Sequence, residues 1–168
     1  MFDAFPQLPS TAFGDGSHPT TRLCARAVDY LCRTRAPKCV LDVGTGTGIL
    51  ARIARSHGAS FIVGTDIDPL ALAAARANIA LDSHPVEIQL SSAAPDAWGP
   101  RFELIVANIL EAPLRALAPA LLGALAPGGT LLTSGYTPIQ VPALKLAFPG
   151  TESTESTLEG WSLLMMSA

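Results

Sequence analysis

Val40-Leu41-Asp42-Val43-Gly44-Thr45-Gly46-Thr47-Gly48-Ile49-Leu50 contains a strand, a turn and the start of a helix. Val40 to Val43 is an apolar run with one acid in it, and it reads as a buried parallel strand. Three glycines at alternate positions then turn the chain, and Ile49-Leu50-Ala51 opens a helix. Such a junction leaves backbone N–H groups and the positive helix end facing one small volume. Glycines are needed because side chains would block close approach of a ligand to the backbone. A small ligand with anionic or polar ends is expected there.

Working outward, Phe61-Ile62-Val63-Gly64-Thr65 is a second buried strand that ends in Asp66-Ile67-Asp68-Pro69. Asp68 as N-cap with Pro69 at the first helical position predicts a helix to about residue 82. Residues 86–90 read as a third strand and 102–107 as a fourth, ending at Asn108. Residues 111–125 are predicted helical, with an irregular first turn at Pro113 and a kink at Pro119. Pro127-Gly128-Gly129 is expected to turn into a fifth strand, 130–134, followed by a helix over about 139–148. Residues 151–157 and 161–166 read as two strands joined at Glu159-Gly160 in a hairpin. Upstream of the first strand, residues 19–35 carry an apolar stripe of Leu23, Ala27, Val28 and Leu31 at helix period.

Residues 1–18 are irregular and rich in Phe, Pro, Gly and Ser, and Met1 to Pro6 looks like the end of a linker. A helix, five strand–helix units and a hairpin predict an α/β fold. Its core is a doubly wound, mostly parallel seven-stranded sheet with a C-terminal antiparallel hairpin, Rossmann-like, binding ligands at the carboxyl ends of the strands. The expected division is a lead-in over 1–18 and one domain over 19–168.

At 168 residues, with 49% hydrophobic and 15% charged residues, the chain is a core-rich globular protein. A formal charge of −3 argues against direct nucleic-acid binding, which favours basic surfaces. Apolar stretches are too short and too interrupted by Pro and Gly to span a bilayer. No basic segment followed by an apolar one opens the chain, so no signal peptide is read. Cys24, Cys32 and Cys39 form no C-x-x-C pair and have no metal-ligand spacing, so no metal is expected. Cys24 and Cys32 fall on one helix face and read as buried free thiols in a reducing cytoplasm.

Two ligand families use a glycine loop after the first strand. Gly46 to Ala51 formally matches the dinucleotide pattern G-x-G-x-x-G/A, which is unspecific alone. Asp42 to Gly48 matches acid-x-Gly-x-Gly-x-Gly, typical of S-adenosylmethionine (AdoMet) enzymes. An acid in an apolar strand is costly unless paired. AdoMet brings an amino group and a sulfonium, whereas a dinucleotide brings a pyrophosphate that Asp42 would repel. The plainer reading is that Asp42 only accepts loop N–H bonds. Asp66 ends the second strand, 66 − 44 = 22 residues past Gly44, where an acid accepts ribose hydroxyls. Asp68 is better explained as a helix cap.

Ala12-Phe13-Gly14-Asp15-Gly16-Ser17-His18-Pro19-Thr20-Thr21, the Asp42–Gly48 loop, Gly64-Thr65-Asp66-Ile67-Asp68-Pro69 and Val106-Ala107-Asn108-Ile109-Leu110 together resemble the ribosomal protein L11 methyltransferase family. The resemblance covers roughly residues 10–168. It implies a class I AdoMet-dependent methyltransferase acting on protein amino groups, lysine ε-amino or N-terminal. The family's AdoMet-binding positions fall on Thr21, Gly44, Asp66 and Asn108, with Asp42, Gly46 and Gly48 completing the loop. Asn108 is also the expected catalytic residue, aligning an uncharged amine for in-line transfer. The implied partner is a protein, ribosomal protein L11 first.

The resemblance does not extend to the family's separate N-terminal recognition domain, so a catalytic domain alone is expected, with 1–18 expected to lie over the cofactor. Asp15 and Ser17 stand where Thr is usual in the family, and Thr45 where Cys is frequent. The alternatives are another protein lysine, a small-molecule amine, or an AdoMet-binding accessory subunit without catalysis. An NAD-dependent oxidoreductase is disfavoured by Asp42. Each residue also has a plainer reading: Thr21 as a first-turn helix residue, Asn108 as an Asx turn, His18 as loop packing, and Trp98 and Trp161 as core or hinge packing.

Overall fold

The computed structural model describes residues 4–99 and 101–167. Met1, Phe2 and Asp3 of the expected linker end lie outside the described residues. In chain order the elements are α1 (Pro19–Arg35), β1 (Cys39–Val43), α2 (Ile49–Ser56), β2 (Phe61–Thr65), α3 (Pro69–Ile79), β3 (Ile88–Ser91) and β4 (Phe102–Asn108). There follow α4 (Glu111–Ala124), β5 (Leu125–Tyr136), α5 (Val141–Ala147), β6 (Glu152–Leu158) and β7 (Trp161–Ser167). The strands form one sheet in the order β3-β2-β1-β4-β5-β7-β6. β1 to β5 are parallel, and β7 runs antiparallel between β5 and β6. This is the doubly wound sheet with a terminal hairpin that the sequence predicts.

Alternation along the strands gives the sheet two apolar faces. Val40, Ile62, Leu104 and Val106 pack under α1 and α2, against Leu23, Cys24, Val28 and Ile53. Leu41, Val63, Ile105 and Leu131 pack on the other face, against Leu114 and Leu121 of α4 and Leu144 of α5. Each such fully buried aliphatic side chain stabilises the fold by about 1.5–3 kcal/mol. Strand order reverses between β1 and β4, so a crevice opens at their carboxyl ends.

Local signals set the helix starts. The Asp68 side chain accepts the Leu70 N–H at 2.8 Å, capping α3 with Pro69 at its first position. His18 caps α1 in the same way, its Nδ1 accepting the Thr20 N–H at 3.3 Å ahead of Pro19. Cys24 and Cys32 are buried on α1 as free thiols.

Three expectations are corrected. Among the described residues between β3 and β4 there is a single 3-10 turn (Pro95–Trp98) and no α-helix, so this strand–helix unit is incomplete. α3 stops at Ile79, and Asp82 instead pairs with buried Arg52 and Arg55. Pro127-Gly128-Gly129 lies inside β5, not ahead of it. Phe102 pairs with Leu125 and Leu104 with Thr130, so the intervening β5 residues bulge. A proline without an N–H suits such a bulge.

The lead-in is tied to this frame. Arg52 Nη1 donates to the Pro6 carbonyl at 3.0 Å, and its guanidinium lies 5.6 Å from the Phe5 ring centroid. The Leu8 N–H donates to Asn78 Oδ1 at 2.8 Å, and Asn78 Nδ2 donates to the Thr47 carbonyl at 3.0 Å. One buried amide on α3 thus joins the lead-in to the glycine loop. No helix among the described residues is long and apolar enough to cross a membrane.

Candidate active site

The glycine loop sits where β1, β2 and the lead-in meet. The Thr45 N–H donates to the Thr65 carbonyl at 2.9 Å, and the Gly46 N–H donates to Asp66 Oδ2 at 3.0 Å. From above, the Phe13 carbonyl accepts the Thr47 N–H at 2.9 Å, and the Gly14 carbonyl accepts the Thr47 hydroxyl at 2.8 Å. Gly44 has φ +68° and Gly46 φ +53°, a region that L side chains rarely adopt. A Cβ on Gly44 would overlap Ile109, and one on Gly46 would overlap the Phe13 carbonyl oxygen. Gly48 begins α2 and packs against Ala75 of α3, so the third glycine serves helix packing.

Asp42 lies beneath the loop, fully buried. Its Oδ2 accepts the Thr45 hydroxyl at 2.7 Å and the Ala51 N–H at 3.3 Å, while Oδ1 has no partner. Burial pushes this carboxyl up to about 6, against the pull of those two donors. The acid therefore does accept loop N–H and O–H bonds, and it still has one oxygen free of them. Cys24, which faces Asp42, has its thiol pushed far up by burial.

Asp66 directly follows β2 with both oxygens engaged, Oδ2 by the Gly46 N–H and Oδ1 by the Asp68 N–H, each at 3.0 Å. It lines a cavity of about 410 Å³ with Gly44, Ile67, Ala93 and Leu117. A carboxylate has roughly four lone-pair sites, so two remain for a ligand in that cavity. A second cavity of about 210 Å³ is lined by Phe13, His18, Thr20, Asn108, Gly135 and Trp161. Ile109 and Leu110 border both, so the two cavities adjoin across the β4–α4 connection.

Asn108 Oδ1 is buried without a hydrogen-bond partner, which removes the Asx-turn reading. Thr21 is buried on α1, and its hydroxyl oxygen also lacks a partner. An unpaired buried polar group costs roughly 1–3 kcal/mol, which a ligand group would offset. His18 Nδ1 is occupied as the α1 cap and lies 2.8 Å from the Thr20 hydroxyl. An Nδ1 that accepts a backbone N–H leaves any ring proton on Nε2.

Gly44, Asp66 and Asn108 thus line the crevice, while Gly46 is covered by Phe13, Gly48 packs against α3, Asp42 lies below the loop, and Thr21 is adjacent to cavity-lining Thr20. Thr20, Ile109 and Trp161 were not legible as site residues. Trp161, expected as packing, lines the smaller cavity with its ring edge-on to His18 at 4.7 Å between centroids. Trp98 packs against Phe61 on the α4 face, as a core residue should.

A crevice beside a glycine loop at the switch point of such a sheet, with an antiparallel β7 inserted between β5 and β6, has the architecture of the class I methyltransferases. The chain belongs to the ribosomal protein L11 methyltransferase (PrmA) family, which it matches over residues 8–158. It is 44% identical over 163 residues to the ribosomal protein L11 methyltransferase of Geobacter metallireducens, covering 95% of this chain and 53% of that protein. It is 47% identical over 134 residues to that of Dechloromonas aromatica, covering 79% and 43%. The chain thus spans about half the length of these curated relatives. A crystal structure of ribosomal protein L11 methylase from Lactobacillus delbrueckii subsp. bulgaricus matches with a TM-score of 0.84 at 32% identity, covering 97% of this chain and 84% of that one.

Proposed function

We propose that this chain binds AdoMet in the crevice and transfers its methyl group to an amino group of a protein, ribosomal protein L11 being the first expected substrate. The observation that carries this reading is the set of buried polar atoms without partners around the crevice: Thr21 Oγ1, Asp42 Oδ1 and Asn108 Oδ1. A ligand bearing an amino group, a carboxylate and a ribose supplies complementary donors and acceptors. A dinucleotide would set a pyrophosphate near Asp42.

In this reading Asp66 accepts the ribose hydroxyls and Gly44, on the wall of the larger cavity, lets the ligand approach the loop backbone, while Gly46 leaves room for the Phe13 carbonyl. Gly48 aims the α2 N-terminus into the crevice. The Thr21 hydroxyl donates to the carboxylate, while Asp42 and Asn108 supply acceptors. The larger, mostly apolar cavity takes the adenine side. When bound, AdoMet supplies an electrophilic methyl group, so the chain's own task is to orient the acceptor and keep it uncharged. The smaller cavity fits that task. Its walls of Phe13, Ile109 and Trp161 desolvate an entering amine, which favours the neutral form that carries a lone pair. Asn108 on the same wall accepts an amine N–H and fixes the line of approach. The described part of the lead-in, residues 4–18, acts as the cover over the cofactor, stapled at Phe13 and Gly14. Free thiols at Cys24 and Cys32 suit work in a reducing cytoplasm.

Calorimetric titration with AdoMet and with NAD tests the ligand; binding of NAD in preference to AdoMet overturns it. Incubation with methyl-labelled AdoMet, intact ribosomal proteins and a cytosolic extract tests the acceptor. A labelled band at the size of L11 is the expected result. An Asn108→Ala variant that retains AdoMet affinity and full methylation would remove Asn108 from the mechanism.

A further inference from the structure

Arg22 lies one helical turn beyond His18 on α1, its N–H donating to the His18 carbonyl at 3.2 Å. Its Nη2 reaches both carboxylate oxygens of Glu159, at 2.8 and 2.7 Å. Glu159 and Gly160 form the two-residue turn between β6 and β7, which the pair Leu158–Trp161 closes. That turn has φ +50° at Glu159 and +81° at Gly160, a geometry that favours Asn, Asp or Gly. A glutamate is held there against its preference, and its carboxylate is spent on Arg22.

The consequence lies in what flanks the ion pair. The first turn of α1 carries the anchor Arg22 and the cavity walls His18 and Thr20. The β-turn carries the anchor Glu159 and leads directly into the wall Trp161. The ion pair and the His18–Trp161 ring contact are therefore two fastenings between the same two segments. The Arg22 and Glu159 side chains are 31% and 58% exposed, so the pair is too solvated to matter chiefly for stability.

We infer that Arg22 and Glu159 form a latch that sets Trp161 against His18 and so fixes the width of the smaller cavity. Both are positioning residues, acting through Trp161. The step from cavity width to acceptor binding rests on the function proposed above.

The test uses a Trp98→Phe background, in which Trp161 is the remaining tryptophan of the two in the chain. Glu159→Asn removes the carboxylate and keeps a residue that tolerates the turn. The expected results are greater acrylamide quenching of Trp161 and a rise of about fivefold in KM for the acceptor, with kcat and AdoMet Kd near their starting values. The charge-reversed pair R22E/E159R should restore both readouts. Unchanged quenching, a parallel loss of AdoMet affinity, or a reversed pair that restores nothing would overturn the latch. If no variant transfers a methyl group, the proposed function fails, and Trp161 quenching still decides the latch by the same comparison.

Discussion

The Gly46 amide donates to one oxygen of the Asp66 carboxylate at 3.0 Å while the Asp68 amide donates to the other at the same distance. Asp66 is thereby held at the mouth of the larger cavity before any ligand arrives, and no ordering is left to binding. On the proposed function, replacing it removes acceptors to the ribose and also one of the loop's ties to this end of the sheet, while the bond from the Thr45 N–H to the Thr65 carbonyl remains. Asp66→Ala should weaken AdoMet by roughly 1.5–3 kcal/mol, the scale of hydrogen bonds to a charged group. That is about 10- to 150-fold in Kd by calorimetry. An unaltered Kd would take Asp66 out of the site.

Gly46 lies under the Phe13 carbonyl with a positive φ, so a side chain there meets backbone from above and strain from within. Gly46→Ala should push Phe13 away and break the bond from the Thr47 N–H to its carbonyl. The expected cost is about 1–3 kcal/mol in urea unfolding. Segment 13–17 should also become a new site of limited proteolysis. A variant that keeps its protease resistance would show that this contact does not hold the segment down.

The parts of this site legible in the sequence were those fixed within a few residues. The Asp68-Pro69 helix start rests on a local φ preference and one short-range bond, and the hairpin turn on Gly160 and the adjacent Leu158–Trp161 pair; both stand where expected. Trp161 was read as packing because nothing near it announces a cavity. Its place follows from β7 inserting between β5 and β6, a long-range pairing. Ile109 looks like any apolar residue after a strand. Its role, covering Gly44 and separating the two cavities, exists only once β1 and β4 are neighbours. The bulge at Pro127 was misread for a related reason. A Pro-Gly-Gly run signals a chain reversal locally, and only pairing with Phe102 turns it into an interrupted strand.

Asp42 and Asp82 should bend the pH dependence of stability in opposite directions. Hydrogen bonding from Arg52 holds the Asp82 carboxyl below the usual carboxylate range. Its stabilisation is present above the ordinary value, about 3.9, and is lost as pH falls through the lower folded value. Burial instead raises Asp42 to about 6. The folded state then keeps a proton that the unfolded chain has released, so this contribution is present below the ordinary value and lost as pH rises through about 6. Asp42→Asn should therefore gain stability relative to the unaltered chain as pH rises from about 4.5 to 7. Asp82→Asn should cost roughly 3–5 kcal/mol at neutral pH, because Arg52 and Arg55 remain buried without their counter-charge. Urea unfolding across that range reads both. A parallel pH profile for Asp42→Asn and the unaltered chain would show that the buried carboxyl does not titrate there.

Thr21 offers the cleanest separation of folding from function. Its hydroxyl is buried on α1 without a partner, so the folded chain carries a desolvation cost with no bond in return. Valine has the same shape and a similar helix propensity, so Thr21→Val deletes that polar group and little else. The expected gain in stability is up to about 1 kcal/mol by thermal or urea unfolding. On the proposed function, AdoMet affinity should fall about tenfold in the same protein, because the hydroxyl assigned to the ligand carboxylate is gone. Damage to the fold would lower both quantities together, whereas a ligand-binding hydroxyl moves them apart. A variant that binds AdoMet as tightly as the unaltered chain would leave the buried hydroxyl without a function and remove Thr21 from the site.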